Sequence, residues 1–205
     1  MSDLEIIDCI QGEAEWFHAR LGLVTASEFD TVLAKGKNGG PSKTRSTYMR
    51  KLIGERMTGE PAENYTNAHM ERGKIMEAEA RDYYAFMSNE EPQLVGFLKR
   101  GRVGCSPDSL IGESGLHEIK TKLPHLHIEL LLSDEFPAEH KAQCQGNLWV
   151  SGRNWIDFQS YWPKMPSFIK RAYRDEPYIA ALEKAVKEFI DEMDDLYEKI
   201  TRRAA

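Results

Sequence analysis

The segment Cys105-Ser-Pro-Asp108-Ser-Leu-Ile-Gly-Glu-Ser-Gly-Leu-His-Glu118-Ile-Lys120 predicts two short strands joined by a tight turn. The turn is Gly112-Glu-Ser-Gly115, because glycine and serine between short apolar runs are typical of a hairpin. Side chains alternate along a strand, so Glu118 and Lys120 share one face. A hairpin of this length brings Asp108 level with Glu118. Two carboxylates and one ammonium then converge at a strand edge.

This trio has the chemistry that phosphodiester hydrolysis requires. Asp108 and Glu118 are hard oxygen donors that can bind Mg²⁺, which lowers the pKa of a bound water and polarises the scissile phosphate. Lys120 would orient or deprotonate that water, and the backbone carbonyl of Ile119 is a candidate for a further ligand. The alternative is a surface hairpin with a Glu–Lys pair, because an Asp and a Glu-x-Lys at this spacing also occur by chance.

The hydrophobic pattern around the hairpin predicts a mixed α/β protein. Strands are predicted at residues 93–98, 102–105, 109–111, 116–121, 154–161 and 168–173. Helices are predicted at residues 12–20, from a Thr25–Glu28 capping box to about 35, from Ser42 to about 57, from Asn67 to about 87, and at 124–132, 137–150 and 176–201. We expect one domain over residues 1–205, with an N-terminal helical region at about 12–87 and a long C-terminal helix at about 176–201.

Composition excludes several classes of protein. The chain has 205 residues, of which 41% are hydrophobic and 29% charged, as is typical of globular proteins. No apolar run approaches the ~18–20 residues that span a bilayer, and the acidic N-terminus does not resemble a signal peptide. We therefore expect a cytoplasmic protein with no membrane partner. Three cysteines are too few for a disulfide framework.

Charge is unevenly distributed along the chain. The net charge of −6, taken alone, argues against nucleic acid as a partner. Residues 35–56, however, carry seven basic side chains and one acidic one, whereas residues 175–198 carry nine acidic side chains and two basic ones. This asymmetry indicates either one face for a polyanion and another for solvent or a partner, or two solvated helical faces.

Five segments together resemble the lambda-type phage exonucleases, the alkaline exonuclease family of the PD-(D/E)XK nuclease superfamily. Asp108, Glu118 and Lys120 match the signature of the superfamily. The resemblance in order and spacing covers residues 16–150 through these segments: Trp16-Phe-His-Ala-Arg20-Leu-Gly-Leu-Val-Thr-Ala-Ser27-Glu28, Arg72-Gly-Lys-Ile-Met-Glu77-x3-Arg81, Cys105-Ser-Pro-Asp108, Glu118-Ile-Lys120 and Ala142-Gln-Cys-Gln145-x3-Trp149-Val. The set is more specific than any of its members.

The resemblance implies a restriction-endonuclease-like core, an α/β fold in which a central mixed β-sheet is flanked by helices. It assigns Asp108, Glu118 and the carbonyl of Ile119 to Mg²⁺, with Mn²⁺ as a substitute. Lys120 would position the attacking water, and Glu77 would contact metal-bound water and help to set the nucleophile.

A second group of residues resembles those that hold DNA in this family. Arg20 and Ser27 match residues that hold the 5′-terminal phosphate, and a guanidinium and a helix N-terminal hydroxyl both suit a phosphate. Ser106 and Gln145 match further phosphate-side positions. Gln143 is the alternative to Gln145, because related nucleases differ in which glutamine of this helix faces the site.

Residues of this kind also have simpler interpretations. Glu77 fits a helix-surface residue paired with Arg81 or Lys74. Arg20 fits a cation at a helix C-terminus, and Ser27 fits a capping residue. The family resemblance is what favours the functional roles.

The resemblance also implies an activity and partners. The enzyme would degrade one strand of duplex DNA 5′→3′ from its end, release mononucleotides and leave a 3′ single strand for recombination. The family forms a ring-shaped homotrimer, in which residues 35–56, including Lys37 and Arg45, would follow the DNA phosphates. A single-strand annealing protein is a further expected partner, and a phage or prophage in a bacterial host is the expected source. An apolar wedge that splits terminal base pairs would fall near Met70, but Glu71-Arg72 departs from the apolar residues that the phage enzyme carries there, and Met70 also fits a packed helix residue.

Two other functions stay open at this point. One is another endonuclease or nicking enzyme of the superfamily, and the other is a non-catalytic protein that binds DNA ends. Zinc is not expected, because His125-x-His127, with His117 and Cys105, matches no closed tetrahedral set.

Overall fold

Two mixed β-sheets lie at the centre of the computed structural model, which describes residues 3–62 and 68–204 and, within these, the side chains of all but residues 68–72, 74, 203 and 204. In chain order, the strands are β1 (Leu4–Ile7), β2 (Val24–Thr25), β3 (Pro92–Gln93), β4 (Phe97–Arg100), β5 (Val103–Cys105), β6 (Ser109–Ile111), β7 (Gly115–Lys120), β8 (Trp155–Ser160) and β9 (Phe168–Tyr173). One sheet has the order β1-β4-β5-β2 and the other β3-β6-β7-β8-β9. Strand β7 is therefore central in the second sheet.

Helices flank the two sheets. They are α1 (Ala14–Ala19), α2 (Phe29–Leu33), α3 (Lys43–Thr58), α4 (Ala68–Ser88), α5 (Pro124–Ser133), α6 (Lys141–Ser151) and α7 (Glu176–Ala204), with single 3₁₀ turns at Ala26–Glu28 and Ala138–His140. Within the described residues, none of these helices combines the length and the apolar character needed to cross a membrane. The predicted α/β fold, with a mixed sheet between helices, is confirmed.

The β6–β7 hairpin has the register that the sequence predicts. The strands are antiparallel and pair Ser109 with His117, which sets Asp108 level with Glu118. Gly112 takes a positive φ of 48° in the turn, a conformation that glycine adopts at little steric cost. Strand β8 then pairs with β7 in parallel, so the hairpin is held within the sheet and is not an isolated surface feature.

The predicted strand at residues 93–98 is wrong, because this segment divides between the two sheets. Strand β3 pairs with β6, whereas β4 pairs with β1, a strand that the sequence analysis did not predict. Gly96 lies at the crossing, where a Cβ atom would stand 2.4 Å from the carbonyl oxygen of Ile7. Close backbone contact with the β1 segment therefore accompanies the change of sheet.

The predicted capping box at Thr25–Glu28 is also wrong. No side-chain capping bond forms there, because the Thr25 N–H donates to the Tyr48 hydroxyl (3.2 Å) and its side chain accepts from Arg20. The predicted cap at Ser42 is confirmed, since its hydroxyl accepts the N–H of Arg45 (3.0 Å). Asn67, the third predicted cap, lies outside the described residues. So does the side chain of Met70, for which a wedge and a packed helix residue were both open.

Helix α6 packs against the first sheet and against the segment that follows β2. Gly146 permits this close approach, because a Cβ atom there would stand 2.3 Å from a ring carbon of Phe29 and 3.3 Å from the Cβ of Ala26. Phe29 and Ala26 are fully buried, so neither has free space to move into. The depth at which α6 sits therefore depends on the absence of a side chain at residue 146.

The basic and acidic segments partly neutralise each other. Both terminal nitrogens of Arg45 donate to the Glu192 carboxylate (2.8 and 3.0 Å), and Arg56 donates to Asp194 (2.6 Å). Arg45 is only 9% exposed. These ion pairs hold α7 against α3. Arg45 was predicted to follow the DNA phosphates, but its guanidinium is instead buried against Glu192.

Candidate active site

The end of the β6–β7 hairpin brings Asp108, Glu118 and Lys120 together. One Asp108 carboxylate oxygen accepts the backbone N–H of Ile119 (2.5 Å). The ammonium of Lys120 donates to Glu118 Oε1 (2.5 Å). Glu118 is 2% exposed, whereas the side chain of Lys120 is 28% exposed. The trio therefore has one buried carboxylate and an ammonium that solvent can reach.

The charges of this cluster are incompletely balanced. Burial raises the pKa of Asp108 well above its usual range, and the neighbouring charge of Glu118 raises it further. Burial opposes the charge of Lys120, but attraction to Glu118 and Asp108 outweighs burial and raises its pKa, so it stays an ammonium. Two ionised carboxylates and one ammonium would carry a net negative charge in a poorly solvated place, which is why a proton on Asp108 is favoured. Such a site favours an added cation.

Helix α6 contributes two amide donors to Glu118. The Gln143 Nε2 donates to Glu118 Oε1 (2.6 Å), and the Asn147 Nδ2 donates to Glu118 Oε2 (2.9 Å). Gln145 instead donates to the Tyr173 carbonyl (2.8 Å) and accepts the Asp175 N–H (2.9 Å). Of the two predicted glutamines, Gln143 thus faces the cluster and Gln145 does not. Asn147 was missed, although its spacing of four residues from Gln143 places both on one helix face.

Glu77 on α4 lies at the edge of the same cluster. It pairs with Arg81 (2.5 Å), as one interpretation of the sequence predicted, and it lines the same cleft as Asp108. The Nε of Arg81 donates to the Ser109 hydroxyl (3.0 Å). Arg81 therefore connects Glu77 to the residue that follows Asp108. Glu77 is thus both paired with Arg81, as the simpler interpretation predicted, and placed at the site, as the family resemblance predicted.

A second polar group forms around Arg20. Its guanidinium lies over the Trp16 ring, 3.9 Å from the centroid, and donates to Thr25 Oγ1 (3.3 Å) with Ser27 Oγ at 3.5 Å. The Trp16 indole N–H donates to the Ser106 hydroxyl (2.8 Å). Burial lowers the pKa of Arg20, although a guanidinium stays charged in proteins. The predicted phosphate-binding residues thus form one cluster, with Trp16 between its two ends.

One cleft of about 1060 Å³ connects the two groups. Its lining residues come from α1, α3, α4, β2 and the segments just before β4 and β6, and they include Trp16, Arg20, Thr25, Glu77, Arg81 and Asp108. Lys37, predicted to follow DNA, lies exposed in the loop between α2 and α3.

The donor set of the cluster fits Mg²⁺ better than zinc. Asp108 and Glu118 offer hard oxygen ligands of the kind that Mg²⁺ takes. Among the described residues, no three His, Cys, Asp or Glu side chains group closely enough to hold a metal by themselves. His127 is bonded to the Ser160 hydroxyl and the Pro166 carbonyl, which gives it a structural role.

Comparison with known proteins agrees with this geometry. A hairpin that carries Asp, Glu and Lys in a restriction-endonuclease-like fold defines a deoxyribonuclease. The YqaJ-like viral recombinase domain matches residues 15–154, and the chain belongs to this family. A search of curated proteins finds no match to the chain.

Solved structures give the same result. An alkaline exonuclease from Laribacter hongkongensis is 36% identical, with a TM-score of 0.85 over 94% of this chain and 98% of that one. Its complex with dAMP matches with a TM-score of 0.86 at the same identity and coverage. A phage-related exonuclease from Haemophilus somnus 129PT is 14% identical, with a TM-score of 0.68 over 89% of this chain and 96% of that one, and shares the fold. The predicted family, fold class and deoxyribonuclease activity are confirmed.

Proposed function

We propose that the chain is a Mg²⁺-dependent exonuclease that degrades one strand of duplex DNA 5′→3′ from its end. It would release mononucleotides and leave a 3′ single strand for recombination. One observation carries this proposal: a single cleft is lined by Asp108 and Glu77 at one place and by Arg20 and Thr25 at another. An enzyme that cuts only at a 5′ end needs both a hydrolytic site and a terminal-phosphate site. The dAMP bound by the Laribacter enzyme is a nucleoside monophosphate, the class of product that this reaction would release.

The residues of the cluster divide the chemical work. Asp108, Glu118 and the Ile119 carbonyl would hold Mg²⁺, which supplies charge neutralisation on the phosphate and acidity to the attacking water. Because Lys120 is held as an ammonium, it would orient that water as a donor and offset negative charge, and would not accept the proton. Glu77, an accessible carboxylate on the same cleft, is the candidate acceptor.

The reaction then balances as a hydrolysis. The water oxygen bonds to phosphorus, and the bond between phosphorus and the 3′ oxygen of the terminal nucleotide breaks. The water gives up one proton, and the 3′ oxygen takes one from solvent. The products are a 5′-mononucleotide and a new 5′-phosphate on the shortened strand.

End recognition would come from the Arg20 group. A 5′-phosphate would accept hydrogen bonds from Arg20 and from the hydroxyls of Ser27 and Ser106, which is a charge-assisted arrangement. The new 5′-phosphate made by each cut is the ligand that this site needs for the next cycle.

Assembly and partners extend the proposal. We infer a homotrimeric ring around DNA, with Lys37 among its DNA contacts, and a single-strand annealing protein that receives the 3′ strand. Light scattering after size-exclusion chromatography tests the trimer. Membership of a viral recombinase family supports a phage or prophage source.

The decisive experiment is timed digestion of an end-labelled linear duplex with a phosphate on only one 5′ end, with and without Mg²⁺. We expect release of mononucleotides from the phosphorylated 5′ end and only when Mg²⁺ is present, while circular duplex stays intact. Asp108→Ala and Lys120→Ala should each abolish digestion and still bind DNA. Lys99→Ala, which removes an ammonium paired with Glu5 (3.2 Å), is the control that should digest normally. Cleavage of circular duplex, or digestion by either cluster variant, would refute the proposal.

A further inference from the structure

Two amides on one face of α6 converge on a single carboxylate. Gln143 and Asn147 are four residues apart, so their side chains point the same way. Each donates to a different oxygen of Glu118, Gln143 to Oε1 (2.6 Å) and Asn147 to Oε2 (2.9 Å). Two donors on two oxygens define the plane of the carboxylate, which a single donor would leave free to rotate.

The two oxygens of Glu118 have different neighbours. Oε1 accepts from Lys120 as well as from Gln143, whereas Oε2 accepts from Asn147. The side chain of Lys120 is 28% exposed, but Asn147 is 1% exposed and Glu118 is 2% exposed. Asn147 therefore gives Glu118 a fully buried partner on the oxygen that Lys120 does not contact.

Burial makes this contact important for ion binding. A carboxylate that binds a cation must point a lone pair at the ion, so donors that fix its orientation decide whether it can do so. Hydrogen bonds that orient ligands from outside the coordination shell commonly change metal affinity by about 10–100-fold when removed. Asn147 occupies such a position behind Glu118.

We propose that Asn147 is a positioning residue that fixes the orientation of the Glu118 carboxylate for a divalent cation. This inference rests on the proposed function, because it assumes that Glu118 binds the ion. The sequence singled out the glutamines of this helix, and the geometry adds the asparagine one turn beyond Gln143.

The test is Mn²⁺ binding to the protein without DNA, followed by the electron paramagnetic resonance signal of free Mn²⁺. Asn147→Leu keeps the shape of the side chain and removes the donor. We expect its Mn²⁺ affinity to fall about 10-fold or more, with a smaller gain in Tm on adding Mn²⁺. Gln145→Met is the matched control, because Gln145 is a buried amide of the same helix that bonds to Tyr173 and Asp175 and not to Glu118. It should keep wild-type Mn²⁺ affinity even if it lowers Tm.

The outcomes separate the two proposals. Wild-type Mn²⁺ affinity in folded Asn147→Leu protein would overturn the role of Asn147, and so would an equal loss in Gln145→Met, which would mean a general disturbance of α6. If Asn147→Leu does not melt cooperatively, Asn147→Ser, whose hydroxyl is too short to replace the amide, takes its place with the same expectation. A wild-type protein that neither binds Mn²⁺ nor digests DNA would instead refute the proposed function itself.

Discussion

Asp108→Asn should raise the thermal stability of the protein in EDTA while abolishing DNA digestion. Burial and the charge of Glu118 both raise the pKa of Asp108, so its ionised form is held at a cost when no cation is bound. An asparagine carbonyl can still accept the Ile119 N–H that the carboxylate now accepts (2.5 Å). The substitution removes the repulsion between the carboxylates and keeps the hydrogen bond.

The size of the effect follows from known cases. Substitutions that relieve unfavourable groups at functional sites commonly stabilise by about 0.5–2 kcal/mol. For a chain of this length, each kcal/mol shifts Tm by about 2–4 °C. We therefore expect a rise in Tm of roughly 1–8 °C, measured by differential scanning calorimetry at pH 7 in EDTA.

Asp157→Asn is the matched control, because the same change at an aspartate whose hydrogen bonds are all made should act in the opposite direction. Asp157 is 4% exposed, accepts two hydrogen bonds from Arg171 (both 2.8 Å) and accepts one from the Tyr84 hydroxyl (2.7 Å). An asparagine cannot accept all three, so we expect a loss of about 1–3 kcal/mol. A fall in Tm for Asp108→Asn, or a rise in Tm for Asp157→Asn, would refute the claim that the ionised Asp108 carboxylate destabilises the metal-free protein.

Two further predictions concern the 5′-end and pH. Arg20→Ala should reduce kcat/KM on 5′-phosphorylated ends about 10–100-fold more than on 5′-hydroxyl ends, since a hydrogen bond to a charged group contributes about 1.5–3 kcal/mol. Equal losses on the two substrates would remove Arg20 from the phosphate site. Burial lowers the pKa of His140 from its usual 6.5 to about 4. The unfolded chain therefore takes up this proton first as pH falls, and the free energy of unfolding decreases between pH 6.5 and about 4. Chemical denaturation across this range should show that the free energy of unfolding falls less steeply with pH in His140→Phe than in the wild-type protein. The phenylalanine keeps a ring to stack on Phe158 but cannot titrate. An identical fall in both proteins would contradict the role of His140.

The hairpin could be predicted because its determinants are local. Strand alternation fixes the shared face of Glu118 and Lys120, and the length of the turn fixes the level of Asp108. The sequence also predicted the cap at Ser42, where donor and acceptor are three residues apart. Features whose two partners lie within one element or one turn were thus accessible from the sequence.

The rest depends on contacts between distant segments. Arg45 pairs with Glu192, 147 residues away, and no local pattern distinguishes that arginine from one that contacts DNA. The choice between Gln143 and Gln145 depends on which face of α6 meets β7. The capping box failed because Tyr48 takes the Thr25 N–H, a tertiary contact that overrides local preference.

A substitution at Gly146 can alter the active site without changing any residue that acts in catalysis. A methyl group there would stand 2.3 Å from a ring carbon of Phe29, so either α6 or the buried Phe29 ring must shift. If α6 shifts, Gln143 and Asn147 move with it, and hydrogen bonds of 2.6 and 2.9 Å do not survive a shift of an ångström or more. The absence of a side chain at residue 146 thereby helps to keep both amides within reach of Glu118.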